Sequence, residues 1–183
     1  MECLGRPILA LDDRLFVGSK DKFFYCLRTE NGKRRWRFRI AGPIVGLPAV
    51  DDERVYFVAL DNVLRALDRF GGSQRWKVGL PLRPSGGPLL VGTFVAVAGT
   101  SAEVRTYVAA TGKEGSRYAA PRDLAAAPQM LVGAIPEFSA VLLLSREGVL
   151  ELLRRRLEPD IVPLDYTIGA AVPFDAPPPA PTP

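Results

Sequence analysis

The chain has 183 residues, 48% hydrophobic and 24% charged, which is enough apolar content for one substantial core and too much for a disordered chain. Its net charge of +4 at pH 7 is mildly basic and falls short of the clustered surplus of a dedicated nucleic-acid binder. There is no histidine, which removes the commonest general base, the usual triad base and the commonest metal ligand together.

The N-terminal stretch "MECLGRPILALDDRLF" shows no basic segment followed by an uninterrupted apolar run, because Asp12 and Asp13 cut it short, so no signal peptide is read there. No window of about 20 apolar residues follows anywhere, and no transmembrane segment is expected. Cys3 and Cys26 have neither metal-like spacing nor histidine partners. They read as buried or free thiols, with a disulfide between neighbouring strands as the alternative.

Further along, residue types recur at an offset of 40: Gly32, Gly72 and Gly112; Pro48, Pro88 and Pro128; Trp36 and Trp76; Asp21 and Asp61; and "RLFV" at Arg14 against "RVYF" at Arg54. The second unit is the clearest. It predicts four short strands, "LPAV" from Leu47, "RVYFVAL" from Arg54, "VLRALD" from Val63 and "QRWKVGL" from Gln74, separated by the turns "DDE", "DN" and "FGG". The second strands are apolar almost throughout, as in a sheet covered on both faces.

The stretch "NGKRRWRFR" is the fourth strand of the first unit. Trp36, Phe38 and Ile40 alternate with Arg35, Arg37 and Arg39, giving one apolar and one charged face. Trp76, Val78 and Leu80 repeat the pattern against Arg75 and Lys77, and the third unit keeps it in weaker form with Ser116 and Tyr118 opposite Arg117. The charges read first as protection of an outer sheet edge, with a polyanion patch as the lesser reading. Gly32, Gly72 and Gly112 supply the positive φ that a tight turn before this strand needs. Asp61, Asp68 and Glu103 are expected to cap turns.

Units of about 40 residues with four strands, a glycine turn and a docking tryptophan predict an all-β fold, a β-propeller. The blades fall at about 1–41, 42–80, 81–120 and 121–157. The fourth unit is degraded: "REGVLELL" at Arg146 aligns with "LDNVLRAL" at Leu60 only at an offset of 86, after an insertion around "IPEFS", and its tryptophan strand is missing or replaced near "DIVPLDYTIG". Residues 158–183 form a C-terminal extension whose Pro/Ala-rich end reads as a disordered tail. The ring is expected to be incomplete, so that a protein partner or a homodimer would close it.

These residues resemble the pyrroloquinoline-quinone-like, quinoprotein-type propeller repeat, whose motif runs alanine, any, aspartate, two any, threonine, glycine, lysine, two any, tryptophan. "ALDRFGGSQRW" matches at Ala66, Asp68, Gly72 and Trp76; "CLRTENGKRRW" keeps Gly32, Lys33 and Trp36; "TYVAATGKEGS" keeps Thr111, Gly112 and Lys113 and has Ser116 in place of the tryptophan. The resemblance covers roughly residues 7 to 157. Family enzymes hold the quinone and a calcium ion with acidic, amide and aromatic residues facing the central channel, and no such set carries over. The resemblance therefore implies a non-catalytic, protein-binding scaffold without cofactor, catalytic or metal residues, similar to propeller lipoproteins of outer-membrane assembly. The alternatives are the C-terminal fragment of a quinone-dependent dehydrogenase and the sensor propeller of a signalling protein. It also implies a periplasmic or cell-envelope location should a longer N-terminus exist.

Overall fold

The structure, a computed structural model, describes residues 8–19, 21–99, 103–122, 124–125, 129–131, 140–155 and 161–164. Sixteen strands and no helix occur among them. They pair into four separate four-stranded antiparallel sheets, each in simple sequential order. The first blade holds β1 (Ile8–Leu11), β2 (Arg14–Gly18), β3 (Phe23–Arg28) and β4 (Arg34–Arg39). The second holds β5 (Ile44–Val50), β6 (Arg54–Ala59), β7 (Val63–Asp68) and β8 (Gln74–Gly79). The third holds β9 (Leu89–Val91), β10 (Phe94–Ala98), β11 (Glu103–Val108) and β12 (Glu114–Ala119), and the fourth β13 (Gln129–Leu131), β14 (Ala140–Leu144), β15 (Leu150–Arg155) and β16 (Ile161–Leu164).

Strand alternation divides each central strand between two neighbours. On β6, Val55 and Phe57 join Phe16, Phe24, Cys26 and Trp36 of the first blade, whereas Tyr56 and Val58 join Val95, Val97 and Tyr107 of the third. A third cluster sets Ala96, Ala98 and Val104 against Val141, Leu143 and Leu153 of the fourth blade. There is thus one core per blade junction, and the apolar β6 and β10 have both faces covered, as their composition requires. The first strands adjoin in the order β1, β5, β9, β13, so the blades form an arc.

Two boundaries differ from the sequence reading. The fourth sheet takes its outer strand from Ile161–Leu164, so the fourth blade runs past 157 and the extension cannot begin at 158. The displacement arises upstream: β13 ends at Leu131 and β14 starts only at Ala140, whereas β9 ends at Val91 and β10 starts at Phe94, and this extra length moves the outer strand off the 40-residue register. The strand from Leu47 starts earlier, at Ile44, because the pairing shifts between Val45 and Ala49. Gly46 sits in that shift at φ +64°, and an added Cβ would lie 2.1 Å from the backbone of Gly87. Cys26 is a buried free thiol, whereas Cys3 and the Pro/Ala-rich tail lie outside the described residues.

Candidate docking surfaces

Each tryptophan docks on the blade that follows its own. From β4, the Trp36 indole Nε1–H donates to the carbonyl of Arg69, 33 residues on, at 3.1 Å. Its ring lies beside Phe16 and Phe24, with centroids at 6.0 and 5.9 Å, and flat against Gly72, where a Cβ would come within 2.5 Å of indole carbons. From β8, Trp76 donates to the carbonyl of Ala109 at 2.9 Å, and a Cβ on Gly112 would meet its ring at 2.7 Å. The motif glycines therefore do two jobs. They adopt φ +74° and +72°, which favours glycine, and they present a bare backbone surface to the preceding blade's indole.

Gly32 makes the same turn at φ +66°, but open space surrounds it, so the structure separates it from any tryptophan. In the third blade Ser116 stands where the tryptophan would be, and its backbone is tied to the Thr106 hydroxyl.

Asp68 caps its turn as expected, accepting from the amides of Phe70 at 3.0 Å and Gly71 at 2.6 Å and pairing with Arg75. The Gly71 amide, the largest influence, holds its carboxyl below the usual carboxylate range. Asp61 accepts from the Val63 amide and grips Arg65 in a largely buried pair. Glu103, whose preceding turn lies outside the described residues, pairs with Arg105 on its own strand and with Arg117 on β12.

The charged face of β4 is the outer edge of its sheet. Arg35 is pinned to Asp13, and Arg37 lies over the Phe23 ring at 4.6 Å. Lys33, Arg34 and Arg39 are exposed and form no ion pair among the described residues. The Ile40 amide donates to the Lys22 carbonyl at 2.9 Å, which makes Lys22 and Ile40 a hydrogen-bonded pair. By alternation, the backbone N–H and C=O groups of Arg37 and Arg39 point outward from the edge.

Composition gave no hint of a second surface feature. Phe70 is 58% exposed at the junction of the first two blades, with the guanidinium of Arg14 4.7 Å and that of Arg69 5.7 Å from its ring centroid. Arg69 is in turn bound to Asp12. Below it, the Tyr56 hydroxyl approaches Asp51 at 2.6 Å and shares the Ala109 carbonyl with Trp76. Burial first and Asp51 second push the Tyr56 hydroxyl well above its ordinary value. No helix among the described residues is long and apolar enough to cross a membrane, and no group of three or more Cys, Asp or Glu among them could hold a metal ion.

Four-stranded sheets in an arc, joined by a forward-docked tryptophan and a positive-φ glycine, define a β-propeller of the pyrroloquinoline-quinone repeat class. Residues 4–134, more than half of the chain, match the family model described as outer membrane protein assembly factor BamB, and the chain belongs to that family. A search of curated proteins gives no match. Among solved structures, the chain resembles BBS1N in its complex with ARL6DN at a TM-score of 0.65 and 17% identity, covering 80% of this chain and 49% of that one. It resembles quinohemoprotein alcohol dehydrogenase ADHIIG from Pseudomonas putida HK5 at 0.59 and 17%, covering 74% and 28%. BamB from Moraxella catarrhalis aligns at 0.48 and 19%, covering 82% and 57%. For the first two, at these identities, the likeness is one of fold, and the chain spans between about a quarter and somewhat more than half of the three proteins.

Proposed function

We propose that the protein is a non-catalytic scaffold that binds a protein partner in the cell envelope, in keeping with its family. The carrying observation is the outer edge of the first blade. There β4 offers outward backbone donors and acceptors at Arg37 and Arg39 and exposed cations at Lys33, Arg34 and Arg39. An extended acidic segment fits such an edge, since main-chain hydrogen bonds supply affinity and the arginines supply register and sign. The motif's own polar groups are engaged elsewhere: the indole N–H groups and the Asp68 carboxylate hold blades and turns together.

The test is fluorescence anisotropy with a labelled ten-residue peptide alternating glutamate and valine. Saturable binding that weakens with salt and drops at least tenfold in the double variant Arg37→Glu, Arg39→Glu is the expected result. Saturable binding of pyrroloquinoline quinone with calcium, accompanied by dye-linked alcohol oxidation, would overturn the non-catalytic reading in favour of a dehydrogenase fragment.

A further inference from the structure

The blade joint is built twice within the chain, and its receiving half occurs a third time. In the second blade the seat for Trp36 is Gly72 with the carbonyl of Arg69; in the third, the seat for Trp76 is Gly112 with the carbonyl of Ala109. The first blade repeats the same backbone. The Gly32 amide donates to Arg28 O at 2.9 Å, as Gly72 does to Asp68 O at 2.9 Å and Gly112 to Val108 O at 2.8 Å. The Thr29 amide donates to Asp13 O, as Arg69 does to Glu53 O and Ala109 to Thr93 O. Only the cover differs. Gly72, Arg69, Gly112 and Ala109 are buried, whereas Gly32 and Thr29 are exposed and a Cβ on Gly32 would meet nothing within 4 Å.

We propose that the Gly32 turn and the Thr29 carbonyl are a docking seat for the tryptophan of one further blade of this repeat, in the ring position ahead of the first. The indole would lie on Gly32 and donate its N–H to the Thr29 carbonyl. The occupant is not one of the four blades present, because the sequence has two tryptophans and both are seated. Nor is it the fourth blade of a second copy, because Leu164 pairs with Leu152 at the register position where Trp76 pairs with Ala66. It is a tryptophan-bearing blade outside these 183 residues. The propellers this chain resembles have that extra length, since it spans 49% of one and 28% of another. The first strand turns Ile8, 56% exposed, to the same side, since by alternation it lies opposite Leu9, which packs toward the second blade.

The experiment adds such a blade. Duplicating residues 41–80 directly ahead of Met1 of the full chain preserves the 40-residue offset, which puts a copy of Trp76 as far before Gly32 as Trp36 is before Gly72. Amide exchange is followed by mass spectrometry over residues 28–33, and urea unfolding in parallel. Exchange at least tenfold slower than in the parent chain is expected, and it should return to the parent rate with the added tryptophan changed to alanine and, separately, with Gly32→Asn. Asparagine enters positive φ more readily than most side chains, and the space beside Gly32 is open, so Gly32→Asn should lower the parent's own urea midpoint less than it lowers that of the extended chain. Equal exchange in extended and parent chains, protection that survives both substitutions, or an extended chain with a lower urea midpoint than the parent would each overturn the proposal. None of these readouts depends on Arg37 or Arg39, so the result is independent of the peptide-binding test.

Discussion

Truncating Trp36 to alanine tests the joint between the first two blades. The side chain is 7% exposed, fills the space between Phe16, Phe24 and the bare face of Gly72, and supplies the hydrogen bond to the Arg69 carbonyl. Truncation of a buried large aromatic costs about 3–5 kcal/mol. Gly72 has no side chain to collapse into the hole, and the carbonyl of Arg69 loses its donor, so about 4 kcal/mol is expected here. Trp36→Phe keeps a ring against both phenylalanines but loses the N–H, and should cost about 1–2 kcal/mol. In an array whose stability sums repeat and interface contributions, the loss should fall on the first blade. Urea unfolding by circular dichroism gives the magnitude, and hydrogen exchange should show amides of β2 and β3 losing protection before those of β10 and β11. A Trp36→Ala cost below about 1 kcal/mol, no larger than that of the exposed control Arg34→Ala, would refute forward docking as the source of cohesion.

Gly72→Ala and Gly32→Ala share a left-handed backbone strain of about 1–2 kcal/mol, but only the first drives a methyl into Trp36, so Gly72→Ala should be the more damaging by at least about 2 kcal/mol in chemical unfolding. Tyr107 buries a hydroxyl with no hydrogen-bond partner among the described residues, and Tyr107→Phe should raise stability by up to about 1 kcal/mol. Burial raises the hydroxyls of both Tyr56 and Tyr107, so their neutral-form contribution is whole below the unfolded value of about 10 and is lost as pH rises beyond it; a urea midpoint that stays level up to pH 11 would contradict this. Asp68 has the opposite sign: with its carboxyl held low, its contribution is present above about pH 4 and disappears as the solution is acidified below that, a slope that Asp68→Asn should flatten. Arg37→Ala should cost about 0.5–1 kcal/mol through its lost stack on Phe23, measured by the same unfolding assay.

Much of the architecture was legible in the sequence because a propeller writes its period into local chemistry. Turn glycines, alternating faces and doubly apolar second strands are each decided within a few residues, and all three recur at 40. The alternation of Trp36, Phe38 and Ile40 with arginines correctly placed the charged face outward. Contacts between repeats were not legible. Gly72 declared itself as a turn former, while its role as a floor for Trp36 depends on how adjacent sheets stack. Glu103 looked like a turn residue because one of its partners, Arg117, meets it only once β11 and β12 pair. The outer strand of the fourth blade was legible only as a stretch near "DIVPLDYTIG", where β16 lies, because the extra residues between β13 and β14 break the period that located the others.

The forward direction of the joint has a consequence for synthesis. The carbonyl that receives each indole lies 33 residues downstream, so neither of the first two blades can be finished until most of the next has left the ribosome. At about 5–20 residues per second the wait is roughly 2–7 s. Throughout that interval the newest outer strand carries an undocked tryptophan. While the first two blades emerge, the nascent chain therefore trails one incomplete blade, and that moving segment is where a holding chaperone would act.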